Sequence, residues 1–114
     1  MSEDKVTWSS GNVFADLGLP DAEELSVKAK LALNLQRLMK LHKITQREVA
    51  ARVGADQPTI SKVLRGHLDL VTVDRLLAWL ARLDQEVQIT VRDRFSPHAK
   101  GDAPRGSISV FSGM

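Results

Sequence analysis

Residues 45–66 read TQREVAARVGADQPTISKVLRG, and this stretch decides the fold because it contains two short helical patterns separated by a glycine. In the first pattern, Thr45 followed three residues later by Glu48 forms the signature of a capping box. A helix is therefore predicted over about residues 46–53. Gly54 comes directly after it, at the position where helices often end in a residue with positive φ.

The second helical pattern begins after this glycine. Asp56 can cap a helix by accepting a hydrogen bond from the N–H groups of its first turn. Pro58 lies in that first turn, where its missing N–H costs little. Gly66 is suited to end the helix, so a second helix is predicted between Asp56 and Gly66.

The spacing of small and aliphatic residues relates the two helices to each other. Counted from Gln46 as position 1, Ala50 is position 5 and Gly54 is position 9. Two helices that cross steeply need a small residue where they touch, and the tight turn needs a residue that tolerates positive φ. Aliphatic residues that would hold both helices to a shared core occupy five further positions: Val49, Val53, Ala55, Ile60 and Val63. This is the helix-turn-helix pattern.

The second helix has one apolar side and one polar side. At about 100° per residue, Ile60, Val63 and Leu64 face the core. The remaining positions carry donors, acceptors and two cations, and no acid: Gln57, Pro58, Thr59, Ser61, Lys62 and Arg65. Gln can pair with adenine, and Lys or Arg with guanine, so this side suits a helix in the DNA major groove. The alternative is the solvated face of an ordinary helical bundle.

The start of the first helix is a second place where DNA could bind. Gln46 and Arg47 lie there, and the free N–H groups of a helix N-terminus favour phosphate. We therefore expect these two residues to meet the DNA backbone.

Charge is distributed unevenly along the 114 residues. Residues 1–25 carry a net charge of −5, residues 26–66 carry nine basic and two acidic side chains, and residues 67–114 balance at zero. A basic middle segment favours a polyanionic partner, although a solvated helix face would have a similar composition. The chain has no cysteine, which excludes disulfides and thiolate chemistry. No apolar run approaches the roughly 18 residues that a membrane span needs.

Two further helices are predicted on either side of this segment. The pattern DAEE, with Asp21 as cap, starts a long helix over about residues 22–42, whose apolar surface is broader than one small partner helix would cover. That surface belongs either to a helix central to its own core or, in part, to a contact with another chain. Thr72 caps a helix over about residues 73–83, with Trp79 expected at the edge of its buried face.

The segment EVQITVR then changes the period of the pattern. Val87, Ile89 and Val91 alternate with polar residues, which predicts a half-buried β-strand. A lone strand needs a partner for its backbone groups. The first candidate is the same strand of a second copy, which makes these three residues the predicted dimerisation site. The alternatives are KVTW near the start of the chain and SISVF near its end.

The domain organisation follows from these elements. We expect a flexible segment over residues 1–12, one helix-turn-helix domain with its dimerisation strand over residues 13–94, and a flexible tail over residues 95–114. Ser, Gly and Pro are frequent in that tail.

An enzyme is not expected. The three histidines, His42, His67 and His98, lie far apart with no metal-ligand spacing, and the chain has no Gly-rich phosphate loop or nucleophile motif. We therefore predict no catalytic residue, metal or cofactor.

Residues 45–66 resemble the Xre family of phage-repressor-like helix-turn-helix proteins, whose typical run is TQ-x-x-(L/V)-A, then Gly, then a polar-QPTIS segment. The flanking runs VFADLGLPDAEELSVKAKLALNL and LDLVTVDRLLAWLARLDQEVQITVR are similar to the HigA-type antitoxin branch. The resemblance covers about residues 13–92. It implies a mainly α, lambda-repressor-like bundle of four to five helices with a C-terminal β-strand that pairs across a dimer.

The resemblance also implies a function. It implies a cytoplasmic bacterial repressor that binds a palindromic operator as a homodimer and neutralises a RelE-like ribonuclease toxin. The antitoxin would then repress the operon that it shares with this toxin. Two other interpretations stay open: a stand-alone Xre-family regulator, and an interaction module that has lost DNA binding.

Residue roles follow from the same resemblance. Gln46 would hold a phosphate and support Gln57, while Thr59 and Arg65 would meet the backbone or flanking groups. One departure is Asp56, which stands where the family often has Ser and places a negative charge near phosphate. The residues implied to meet base edges are Gln57, Pro58, Ser61 and Lys62.

Overall fold

The computed structural model describes residues 21–98 and 106–113. These residues form four α-helices and one 3-10 turn, which confirms the prediction of a mainly α helix-turn-helix bundle. None of the described helices is long and apolar enough to cross a membrane. The flexible segment predicted over residues 1–12 lies outside the described residues. The helices are α1 (Asp21–His42), α2 (Gln46–Val53), α3 (Gln57–Leu64) and α4 (Val73–Arg82), with the 3-10 turn at Leu68–Leu70.

The core forms around α1, which packs against both α3 and α4. Its stripe of leucines supplies Leu35 and Leu38, which are 1% exposed. The most deeply buried side chains come from all four helices, so every helix contributes to the core. These side chains are Leu35, Leu38, Val49, Ile60, Val63 and Leu76.

All four helices end in the same way, with a residue of positive φ. Gly54 and Gly66 have φ of 75° and 102°, and the two positions without glycine, Lys43 and Asp84, have φ of 56° and 65°. In each case, the N–H that follows this residue bonds the carbonyl five residues earlier, as His67 bonds Lys62 at 3.0 Å. This is the Schellman arrangement, which satisfies carbonyls that the helix leaves free.

The expectation that Trp79 lies at the edge of α4 is wrong. Trp79 is only 4% exposed. It lies three residues after Leu76 and one before Leu80, and therefore on the buried stripe of this helix. Val73 and Leu77 lie at the margins instead and are half-buried.

The residues after α4 form no strand within the described part of the chain. Val87, Ile89 and Val91 are 38%, 76% and 90% exposed. Pairing with the SISVF segment does not occur, and KVTW lies outside the described residues. The strand and its pairing with a second copy therefore stay predictions.

The described end of the tail contacts α1. The Ile108 N–H donates a hydrogen bond to the Glu23 carboxylate. Val110 packs against the core. The predicted flexibility of residues 95–114 stays a prediction, and residues 99–105 and 114 lie outside the described part.

Candidate nucleic-acid interface

The helix-turn-helix has the geometry that its spacing predicts. Ala50, the small residue predicted to lie where α2 and α3 touch, is 7% exposed, and Gly54 adopts φ of 75° in the turn. Four of the five aliphatic positions are almost fully buried, and Ala55 packs on the core from a half-buried position. The four are Val49, Val53, Ile60 and Val63, at 0–3% exposure.

The N-terminus of α2 is held by the predicted capping box. The Glu48 N–H donates to Thr45 Oγ1 at 3.1 Å, and the Thr45 N–H donates to Glu48 Oε1 at 2.8 Å. The Thr45 N–H, together with its hydroxyl and the charge of Arg52, holds the pKa of Glu48 below its ordinary value of 4.5. Two hydrogen bonds thus cap the first turn of α2, on which Arg47 is exposed and Gln46 is half-buried.

The N-terminus of α3 is held by Asp56. The Thr59 N–H donates to Asp56 Oδ1 at 3.2 Å. The hydroxyl and N–H of Thr59 lower the pKa of the Asp56 carboxyl below its ordinary value of 3.8. Asp56 therefore caps the helix as predicted, and it also brings an exposed negative charge to this end of α3.

The surface of α3 presents the residues predicted to read DNA. Ile60 and Val63 point into the core with at most 1% exposure. Within α3, no acidic residue occurs. On the other side, Gln57, Pro58, Lys62 and the following Arg65 are exposed, while Thr59 and Ser61 are half-buried. Four of the six predicted DNA-contacting positions at α3 are thus exposed.

A shallow groove of about 400 Å³ brings two of the predicted DNA-contacting residues together. Gln46 from the start of α2 and Arg65 from the end of α3 both line it. Lys40, near the end of α1, lines the same groove, although the sequence pattern did not single it out. The basic last turn of α1 was the only available signal, because the meeting of three helix ends depends on their packing.

One expected contact between two described residues is not formed. Gln46 and Gln57 are both described, and they share no hydrogen bond. The support of Gln57 by Gln46 thus stays a prediction for the DNA complex. The predicted dimerisation residues lie on the exposed segment after α4, away from the residues of α3 in sequence.

Comparison with known proteins places this geometry in a family. A family of helix-turn-helix domains matches residues 13–92. A solved structure, provisionally named an XRE-family transcriptional regulator, has 35% identity and a TM-score of 0.67, and the match covers 82% of this chain and 99% of that one. No curated protein gives a significant match. The chain therefore belongs to the helix-turn-helix domain family and is an XRE-type helix-turn-helix protein.

Proposed function

We propose that this protein is a sequence-specific DNA-binding transcriptional repressor that acts as a homodimer. The observation that carries the proposal is the polar side of α3, where Gln57 and Lys62 are exposed, Ser61 is half-buried, and no acidic side chain occurs within the helix. The solved relative named as a transcriptional regulator supports the same role. The proposed function requires no catalytic residue, cofactor or metal.

In this proposal, one set of residues binds base edges and a second set binds phosphates. Base edges in the major groove meet the exposed side of α3, where Gln57 and Lys62 supply directional hydrogen bonds. Phosphates meet Arg47 and the residues of the shallow groove, which determine the register but carry no sequence information. The groove residues proposed to meet phosphate are Gln46 and Arg65. Lys40 is proposed to do the same because it lines this groove.

A palindromic operator follows if the protein is a dimer. We infer that residues 87–91 pair with the same segment of a second copy, because Ile89 and Val91 are more than two-thirds exposed in the single chain. A two-fold axis then relates the two copies of α3. They should lie about 34 Å apart, which is one turn of the duplex.

The first experiment is a fluorescence-anisotropy titration of the full chain against its own promoter DNA and a scrambled duplex, at two salt concentrations. The proposal predicts tight binding to the promoter alone, and affinity should fall steeply as salt rises because counterions are released on binding. Equal weak binding to both duplexes would overturn sequence-specific binding by this protein alone.

We further propose that the protein is the cytoplasmic antitoxin of a type II toxin-antitoxin pair with a RelE-like ribonuclease as partner. Apolar surface beyond the needs of the fold supports a protein partner. Leu25 and Leu33 on α1 are 55% and 43% exposed, and Leu33 borders a second shallow groove with Ala29 and Leu68. The second candidate is a stand-alone XRE-family regulator, which the name of the solved relative favours.

Coexpression separates these two candidates. The protein is produced with the product of the adjacent gene, and copurification and RNA cleavage are measured. An antitoxin should form a stable complex with a small basic partner and suppress its cleavage activity. If the product of the adjacent gene neither binds this protein nor cleaves RNA, the stand-alone regulator is favoured.

A further inference from the structure

The last carbonyl of α2 is bound by a side chain from a distant helix. Arg82 Nη1 donates to the Val53 carbonyl at 2.8 Å, across 29 residues of sequence. The N–H groups of Gly54 and Ala55 both bond the Ala50 carbonyl instead, at 3.0 and 3.1 Å. The backbone of the turn thus leaves the Val53 carbonyl to the guanidinium, and a cation at a helix C-terminus is also favoured by the helix dipole.

The guanidinium lies directly over the turn between α2 and α3. A Cβ on Gly54 would be 3.4 Å from Arg82 Nη1. An ion pair between Arg52 and Asp84, at 3.0 Å, joins the same two regions, but both side chains are well exposed. Exposed ion pairs contribute little. Arg82 is also an exposed residue, but its acceptor belongs to Val53, which is only 3% exposed, so the contact from Arg82 is the stronger of the two links.

This contact connects the reading helix to the core. Arg82 is the last residue of α4, and α4 packs on α1. Gln57, the first residue of α3, follows Gly54 by three positions. Any rotation of the turn would therefore displace the start of α3, where the first proposed reading residues lie. Reading contacts require hydrogen-bond geometry, so a small displacement would reduce discrimination between base pairs.

A second side chain acts in the same way at the other end of α3. Gln36 Nε2, from α1, donates to the Leu64 carbonyl at 2.9 Å. Leu64 is the last residue of α3. The two helices of the motif thus each have their last carbonyl bound by a donor from outside the motif.

We propose that Arg82 is a positioning residue for DNA reading, because its guanidinium holds the α2–α3 turn against α4, and that Gln36 holds the far end of α3. This inference rests on the proposed function. Arg82 lies outside the groove that is proposed to meet phosphate. Gln36 lines that groove, but its side-chain amide donates to the Leu64 carbonyl. Loss of either side chain should reduce the preference for the promoter over other DNA. The general affinity for DNA should change less, since it depends on phosphate contacts made by other residues.

The test compares Arg82→Gln with Arg75→Gln in the full chain. Arg75 is on the same helix and exposed, and its side chain makes no hydrogen bond or ion pair with any described residue, so this variant removes the same charge alone. The ratio of dissociation constants for scrambled and promoter duplexes is measured by anisotropy. Arg82→Gln should lower that ratio roughly tenfold, equivalent to about 1.4 kcal/mol. Arg75→Gln should leave it unchanged.

Three further measurements complete the experiment. Arg82→Lys, which keeps the charge and can still donate from its ammonium group but lacks the planar guanidinium, should recover part of the ratio. Amide hydrogen exchange should speed up at Gly54 and Ala55 in Arg82→Gln, but not at Gly66 and His67. Should Arg82→Gln not fold by circular dichroism, Gln36→Leu replaces it, with the same loss of ratio expected.

The outcomes separate this inference from the proposed function. A wild-type protein that binds promoter and scrambled DNA equally would overturn both. The positioning roles alone would be overturned if the wild-type protein prefers the promoter and both Arg82→Gln and Gln36→Leu keep the wild-type ratio of dissociation constants. A general loss of affinity that leaves the ratio intact would also overturn them, because that result describes a smaller folded fraction.

Discussion

Single residues of the helix-turn-helix have separable tasks in the proposed complex. Lys62 is exposed on the reading side of α3, whereas Arg47 is exposed at the start of α2. A side chain that bonds a base edge distinguishes sequences, and one that bonds phosphate does not. Two alanine variants, each of which removes one positive charge, therefore test which surface binds base edges and which binds phosphate.

Lys62→Ala should weaken promoter binding by about 1–3 kcal/mol and relax the sequence preference. Arg47→Ala is the matched control, because it should weaken binding to all DNA similarly and reduce the dependence of affinity on salt. Anisotropy titrations over a series of salt concentrations measure both effects. Unchanged affinity and preference in Lys62→Ala would show that the reading surface lies elsewhere.

Gly54 is the residue on which the turn between the two helices depends. With φ of 75°, it adopts a conformation that side chains disfavour. Gly54→Ala should lower the free energy of unfolding by about 1–2 kcal/mol. Lys43→Gly provides the opposite change at a position with φ of 56°, and it should not destabilise the protein. Urea unfolding measures both, and equal stability of Gly54→Ala and wild type would contradict the backbone argument.

At the scale of elements, α2 and α3 each begin with an ionised carboxylate in a cap. The pKa values of Glu48 and Asp56 lie below their ordinary values because Thr45 and Thr59 donate hydrogen bonds to the charged forms. In the unfolded chain, these pKa values return to the ordinary range, so the unfolded state binds protons first as pH falls. The caps therefore stabilise the fold fully above the ordinary values and lose that contribution as pH falls through the folded ones.

The double variant Glu48→Gln/Asp56→Asn should show this dependence. It keeps the shape of both side chains and removes their charge. At pH 7 it should be less stable than wild type, and the difference should narrow as pH falls below about 4, where wild-type carboxyls also become neutral. Thermal unfolding followed by circular dichroism gives the comparison. If the difference in stability between the variant and wild type does not change with pH, the charges of the caps do not contribute to stability.

The same cap on α3 has an electrostatic consequence for DNA. Asp56 is exposed beside the reading side, and a phosphate there would be repelled. Asp56→Ser should keep the cap, since Ser is also a good N-cap residue, and should strengthen binding to promoter and scrambled DNA alike. Anisotropy at low and high salt would measure it. If affinity does not change at either salt, Asp56 lies beyond the reach of the phosphates.

At the scale of the whole molecule, the proposed dimer depends on the segment after α4. Ile89→Lys places a charge on the apolar side of that segment and should dissociate the dimer, as measured by light scattering. Thr90→Lys adds the same charge to the other side of the alternation and should leave the mass unchanged. A dimeric mass for Ile89→Lys would rule out this seam.

The sequence by itself determined the four α-helices of this protein and the order in which they occur, whereas the strand that it predicts over residues 87–91 is not formed in the described chain. Capping residues, glycines at positions of positive φ and the period of the apolar residues act over only a few residues along the chain. The bounds of α2 were therefore predicted correctly, and the buried set Val49, Ile60 and Val63 was too. The exposed side of α3 followed from helical geometry for the same reason.

Only the tertiary structure decided which distant groups meet. Lys40 joins the groove because three helix ends converge there. The bonds from Arg82 to Val53 and from Gln36 to Leu64 join residues 29 and 28 positions apart. No local pattern encodes such contacts, because they depend on the angles at which helices pack, and those angles are set by the whole core.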